Sequence, residues 1–274
     1  MPAPVSAANP ALDAAERLDL ALVQLGHFQS RAKAQAAVRA GAVCVDGSVE
    51  TKPSKVISPD AQIAVTLAEP AYVSRAAHKL VAALDAFEIG AKGKTCLDLG
   101  TSTGGFAQVL LERGARQVIG IEVGHGQLAP SLKNEPRLLL HEGLNARALT
   151  AGHVSRAPTL ITCDVSFIGL EKVLPPALNL AAPNAHLVTL IKPQFEVGRE
   201  AIGKGVVHSA EAQAAVCLKI RTWLECVHFV DVMGVIESPI LGGDGNREFL
   251  LVGRLPAKGR NAERRRLALK ERRS

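Results

Sequence analysis

At 274 residues, with 47% hydrophobic and 21% charged side chains, the chain is long enough for about two domains and too apolar for wholesale disorder. Its five cysteines, Cys44, Cys96, Cys163, Cys217 and Cys226, are odd in number and include no CxxC pair, so neither a disulfide framework nor a bound metal is expected, and a reducing cytoplasm is the natural setting. The net charge of +6 lies wholly in residues 255–274, where eight basic side chains stand against two acidic ones and read as a basic C-terminal tail. Residues 1–15, rich in Ala and Pro, read as a flexible leader; Asp13, Glu16 and Asp19 break the apolar stretch near the N-terminus, so no secretory signal is expected. The longest apolar stretch, 173–191, carries Pro175, Pro176, Pro183, Asn179 and Asn184, which speaks against a membrane span.

From Arg17 the pattern tightens. Leu18, Ala21, Leu22 and Leu25 share one face of a helix that Gly26 ends. Ser30 is placed to cap a second helix running to Ala40, which buries Ala34, Ala37 and Val38 and closes at Gly41. A short strand Ala42 to Val45, an Asp46-Gly47 turn and a strand from Gln62 to Leu67 complete a small α+β module, expected over 16–71. Arg17, Arg31, Lys33 and Arg39 cluster on its helices against Asp19 alone, enough to meet a phosphate backbone, although a solvated basic face would look the same. The segment RLDLALVQLGHFQSRAKAQAAVRAGAVCVDGSVETKPSKVI, with its Ser30-Arg31 pair, Gly41-x-Val43-x-Val45 strand and Lys52-Pro53 step, resembles the S4-type RNA-binding domain. That resemblance implies RNA contact through Arg17, Arg31, Lys33 and Arg39. With Phe28 as the one aromatic in the stretch, shape and phosphate are the expected readout, without base stacking.

Beyond a linker at Glu69-Pro70-Ala71, the second domain is expected over 72–254. Helices are predicted at 76–88, 104–113, 170–181 and 209–226, and strands at 95–99, 117–122, 137–141, 159–163, 186–191, 228–235 and 247–253. Short β-branched runs such as Gln117 to Ile121 read as buried parallel strands, so the alternation predicts a doubly wound α/β sheet of Rossmann type.

The first strand-to-helix turn reads Leu97-Asp98-Leu99-Gly100-Thr101-Ser102-Thr103-Gly104-Gly105-Phe106. Glycines there let a ligand approach the backbone, and Glu122 at the end of the next strand stands where an acid holds ribose hydroxyls. The pair fits NAD as well as S-adenosylmethionine. The Gly-x-x-x-Gly-Gly spacing behind Asp98 departs from GxGxxG and is similar to that of methyltransferases, which makes Asp98, Gly100, Gly104, Gly105, Phe106 and Glu122 candidate cofactor contacts. Asp164 and Lys192 follow predicted strands and are expected at the ligand crevice, Lys79 lies on the helix entering the domain, and Glu248 opens the last strand.

Singly, each of these residues has a bland reading as a solvated charge. Together Lys79, Asp164, Lys192 and Glu248 resemble the Lys-Asp-Lys-Glu set of ribose 2′-O-methyltransferases related to the FtsJ enzyme. A ribose hydroxyl is a poor nucleophile, so such an enzyme must align it with the methyl donor and take its proton. Lys192 is the expected proton acceptor, Lys79 and Glu248 position substrate and base, and Asp164 orients groups near the methyl donor.

The runs CDVSFIGLEKVLP, TLIKPQFEVGR, EVGHGQL, GKGVVH and SPILGGDGNREFLL, joined to the N-terminal module, resemble the haemolysin A family of rRNA methyltransferases, also called the TlyA family. The resemblance spans roughly 17–253. It implies a Rossmann-like methyltransferase sheet behind an S4-type domain, S-adenosylmethionine as cofactor, ribosomal RNA or a ribosomal subunit as partner, and cytidine 2′-hydroxyls as acceptors. It also implies an adenine-side contact at Glu142 and an Asp164 close to the cofactor. Two departures stand out: Ala76-Ala77 replace a glycine pair, and Gly143-Leu144 replace Arg-Thr. The readings set against methyl transfer are a pore-forming haemolysin, a non-catalytic RNA-binding or ribosome-assembly factor, and an NAD-dependent oxidoreductase.

Overall fold

In the computed structural model the described residues are 12, 14–28, 30–65, 72–197, 206–207, 209–242 and 245–257, and the chain divides into two compact units, 1–71 and 72–274. The linker at 69–71, most of the leader and residues 258–274 of the tail lie outside the described residues.

In the first unit, β1 (Glu16–Arg17) pairs antiparallel with β4 (Val56–Ile57), and β2 (Val43–Val45) is flanked by β3 (Ser48–Val49) and β5 (Ile63–Val65). Helix α1 (Leu18–Gln24) and α2 (Arg31–Arg39) cover these strands with Leu18, Leu22, Ala34 and Val38, all fully buried. The Ser30 hydroxyl accepts from the Lys33 amide and caps α2, as its position predicts. Asp46 and Gly47, with φ of 51° and 79°, make the tight turn between β2 and β3. Leu12 falls within the expected leader, yet it is 6% exposed and packs into this core.

The second unit holds α3 (Ala77–Ala86), β6 (Thr95–Leu99), α4 (Gly105–Glu112), β7 (Gln117–Glu122), β8 (Leu138–Glu142), β9 (Leu160–Cys163), α5 (Leu170–Leu180), β10 (His186–Ile191), α6 (Pro193–Glu196), α7 (Ala210–Val227), β11 (Asp231–Glu237) and β12 (Phe249–Arg254). They form a seven-stranded sheet in the order β11-β12-β10-β9-β6-β7-β8, in which β12 runs against its neighbours β10 and β11. Helices α3 and α4 cover one face over Cys96, Val118 and Leu160, and α5 and α7 cover the other over Leu97, Ile119 and Ile161. Fully buried, β-branched parallel strands between two helical layers are the doubly wound arrangement. The strand order turns back between β6 and β9, and that switch point opens a crevice at the strand C-termini.

Glu248 precedes β12 and does not open it, and Leu255, expected in the tail, is buried, its amide bonded to the Ala185 carbonyl. The five cysteines are free thiols, and among the described residues no helix is long and apolar enough to cross a membrane.

Candidate active site

At the switch point, Gly100 adopts a φ of 83°, and a Cβ there would run into the Asp164 carbonyl. Only glycine lets the turn after β6 lie this close to the turn after β9. Gly104, with a φ of 95°, is the N-cap of α4; Gly105 and Phe106 follow in its first turn. Glu122 at the end of β7 is 7% exposed, and its two carboxylate oxygens accept from the Ser102 and Gly124 amides, both at 2.8 Å. The carboxylate is thereby fixed at the crevice with a lone pair on each oxygen still to offer.

A cavity of about 990 Å³ runs along the crevice, with Gly100, Glu122, Asn145, Asp164, Lys172 and Gln194 in its lining. Ile121, Val123, Leu144 and Val165 supply apolar walls. A second cavity of about 160 Å³ shares Gly100, Ser102, Asp164 and Ser166 with it and adds Ser74, Ala76, Phe106 and Lys192. Lys192 Nζ lies 2.7 Å from Asp164 Oδ1 as a charge pair and donates a hydrogen bond to Ser166 Oγ at 3.0 Å. One ammonium is therefore held by a carboxylate and a hydroxyl at the place where the two cavities meet.

Lys79 and Glu248 form a separate, buried ion pair at 2.5 Å. The predicted quartet thus resolves into two pairs. Ala76 lines the smaller cavity, and Lys79 follows it by one turn on the same helix face.

Two of the expected cofactor residues lie off the wall of the large cavity. Asp98 lies on β6 beneath the glycine turn, fully buried and off the cavity wall, with one carboxylate oxygen accepting from Thr162 Oγ1 at 2.7 Å. Burial pushes its carboxyl up to about 7, with the charges of Asp164 and Glu122 adding to the rise. Glu142 is exposed and its carboxylate accepts from the Gly126 amide, while Leu144, Asn145 and Ala146 line the cavity on that side. The departure at Gly143 has a local cause: its φ is 71°, and the His125 ring occupies the space a Cβ would take.

In the first unit, Arg17 belongs to β1, one residue before α1, and not to a helix. Both Arg17 and Arg31 pair with Asp19, at 3.0 and 2.8 Å, and Gln35 donates to the same carboxylate at 2.6 Å. Asp19 is fully buried, and the bonds from Arg17, Arg31 and Gln35 hold its carboxyl well below the usual carboxylate range against the cost of burial. The single acid expected to oppose the basic cluster is the post on which two of its arginines are fixed. Lys33 and Arg39 are exposed on α2.

Ser166 and Gln194 are site residues that sequence reasoning did not single out. Both sit within runs already quoted, one after the Asp164 strand end and one after Lys192, and that adjacency was the available signal.

A doubly wound sheet whose glycine turn and strand-end acid enclose one long crevice defines a Rossmann-type methyltransferase domain. The FtsJ-like methyltransferase family matches residues 72–255 and the S4 domain matches residues 16–63. The chain belongs to the TlyA family of FtsJ-like methyltransferases. It is similar to the 16S/23S rRNA (cytidine-2′-O)-methyltransferase TlyA of Mycobacterium tuberculosis, with 44% identity over 86% of this chain and 88% of that protein. It is also 38% identical to Hemolysin A of Brachyspira hyodysenteriae over 85% of this chain and 98% of that one. A solved structure from Streptococcus thermophilus that carries the name hemolysin superposes with a TM-score of 0.68 at 31% identity, covering 96% of this chain and all of that one (100%).

Proposed function

We propose that the chain transfers a methyl group from S-adenosylmethionine to a cytidine 2′-hydroxyl of ribosomal RNA, acting in the cytoplasm. The observation that carries this reading is the Lys192–Asp164 pair at the junction of the two cavities, with Lys192 Nζ also bonded to Ser166 Oγ. The crevice fits the cofactor: its volume lies in the usual range for a small-molecule site, the Glu122 carboxylate suits a ribose diol, and apolar walls flank the Asn145 end. S-adenosylmethionine supplies an electrophilic methyl group on its sulfonium.

The acceptor oxygen must meet that methyl group in line and lose its proton as the bond forms. Lys192 Nζ is the group placed to take that proton. Asp164 and Ser166 aim the amine, and Asp164 reaches the large cavity as well, next to the donor. Lys79 and Glu248, buried against each other, position the helix that walls the smaller cavity. In the first unit Lys33 and Arg39, together with the half-exposed Arg17 and Arg31, take RNA phosphates.

The test is a map of 2′-O-methyl groups on ribosomal RNA from cells with and without the gene, and with the gene carrying Lys192→Ala. A cytidine methylated only by the native gene is expected. Identical maps in all three strains overturn the proposal. The same reading expects purified protein to release no dye from liposomes.

A further inference from the structure

Gln194 is the second residue after Lys192, in the single turn of α6, and it lines the large cavity while only 9% exposed. Its Oε1 is buried, and among the described residues no group donates to it. A buried acceptor left unpaired forfeits the hydrogen bond that water gave it in the unfolded chain, so such a group calls for an explanation.

Nor is the side chain loosely carried. Phe195 packs on Phe167 with ring centroids 5.1 Å apart, and Glu196 Oε1 accepts from the Leu170 amide at 2.8 Å. These contacts tie the turn after β10 to the turn after β9, so Gln194 is held in position at the cavity wall with its Oε1 unpaired among the described residues.

Its place along the crevice identifies the ligand end it serves. In the strand order, β9 and β6 separate β10 from β7, and at about 4.8 Å per strand the end of β10 is on the order of 14 Å from the Glu122 end. Glu122 and Asn145 mark the nucleoside end of the cofactor site. Lys192 and Asp164 mark the reacting end, which is where Gln194 lies. A nucleobase hangs from the ribose carbon next to the one that bears the reacting hydroxyl, so a base enters this region whenever that hydroxyl reaches Lys192.

We propose that the Gln194 carboxamide hydrogen-bonds the base of the target nucleotide, Oε1 accepting from the N4 amino group of cytosine and Nε2 donating to N3. The proposal rests on the cytidine methyl transfer reached above. A carboxamide presents an acceptor and a donor side by side, and the cytosine edge presents the complementary donor and acceptor. The contact satisfies Oε1 and makes Gln194 a specificity-determining residue.

The experiment pairs an enzyme change with an atom change in the substrate. Gln194→Met keeps the side-chain volume and removes both hydrogen-bonding groups. The substrate is the ribosomal subunit that the native chain methylates, reconstituted with cytidine or with 2-pyrimidinone ribonucleoside, which lacks the 4-amino group, at the mapped position. With cytidine, Gln194→Met is expected to lower kcat/KM roughly 10- to 100-fold. Its affinity for S-adenosylmethionine stays native, which also reports that the variant is folded. The native chain loses a similar factor on 2-pyrimidinone, and Gln194→Met loses nothing further there.

Native-like rates of Gln194→Met on cytidine, or losses that add independently, overturn the proposal. A weakened affinity for S-adenosylmethionine overturns it too, because the amide then serves the cofactor. In each of these cases the native chain still methylates the cytidine, whereas a native chain that methylates no ribosomal cytidine fails the activity itself.

Discussion

Lys192, at a cavity wall, and Asp98, sealed beneath the glycine turn, show how burial and partners set two ionisable side chains apart. Lys192 is held by Asp164 and Ser166 at a cavity wall, where an amine can meet a substrate hydroxyl. Lys192→Ala is expected to retain cofactor and RNA binding and to lose ~10²–10⁴-fold in single-turnover methyl transfer. Lys192→Arg should fare no better, since a guanidinium stays protonated and accepts nothing. Near-native turnover in the arginine variant would move proton removal to another group. Asp98 is the reverse case, a carboxyl sealed under the glycine turn with its pKa pushed up to about 7 by burial. An acid raised on folding makes the folded chain bind more protons than the unfolded chain between about pH 4 and the raised value, so this group lowers stability as pH climbs through that window. Asp98→Asn retains an oxygen to accept from Thr162 and has no proton to lose. Relative to the native chain it should gain stability between pH 5 and pH 8, by on the order of a few kcal/mol, in paired urea titrations. A native-minus-variant difference that stays flat across the two pH values would show that Asp98 does not titrate in that range.

Helix α5 begins on Gly169, a residue with no side chain to cap its first amides. The cap comes from another element: Glu196 of α6 reaches the Leu170 amide, and a Cβ on Gly169 would stand only 3.1 Å from Glu196 Oε2. Burial raises the Glu196 carboxyl, which the Leu170 amide offsets in part. Glu196→Ala should cost about 1 kcal/mol, read as a fall of a few degrees in Tm, and Glu196→Gln, which keeps an acceptor oxygen, should recover most of it. Equal losses in both variants would remove the capping role. Such cross-element contacts are what local periodicity cannot disclose. The long helices and core strands were legible because apolar residues recur with a period, as in Leu18, Leu22 and the run Gln117 to Ile121. By contrast α6 has four residues and β1, β3 and β4 have two each, too few for any period to register. Among site residues, Gly100 and Glu122 were readable because strand ends feed a crevice. Glu142 also ends a strand, yet its carboxylate turns to the Gly126 amide, while Asn145 lines the cavity on that side. Gln194 was invisible for a different reason: only the folded chain reveals that, among the described residues, its Oε1 has no donor.

Every described residue that lines the large crevice lies within 72–274, and the S4 match lies within 16–63. Recognition and chemistry should therefore respond to different substitutions. The basic residues of the first unit are not equivalent: Arg17 and Arg31 share the buried Asp19, whereas Arg39 stands exposed in the last turn of α2. An arginine that touches phosphate releases counterions on binding, so its loss lowers the slope of log affinity against log salt by about one unit. Arg39→Ala is expected to show that change and nothing else. Arg31→Ala should show it together with a less stable first unit, because Asp19 loses one of the bonds that hold its carboxyl ionised. That deficit should be fully present wherever Asp19 is ionised in the folded chain and should shrink only at strongly acidic pH, where the depressed carboxyl takes up its proton. Fluorescence anisotropy with ribosomal RNA at several salt concentrations measures the slope, and calorimetry with S-adenosylmethionine, expected to be unchanged in both variants, isolates recognition from the crevice. Salt slopes that match the native chain in both variants would place the phosphate contacts elsewhere, and a cofactor affinity that falls with either substitution would show that the first unit shapes the crevice as well as the RNA.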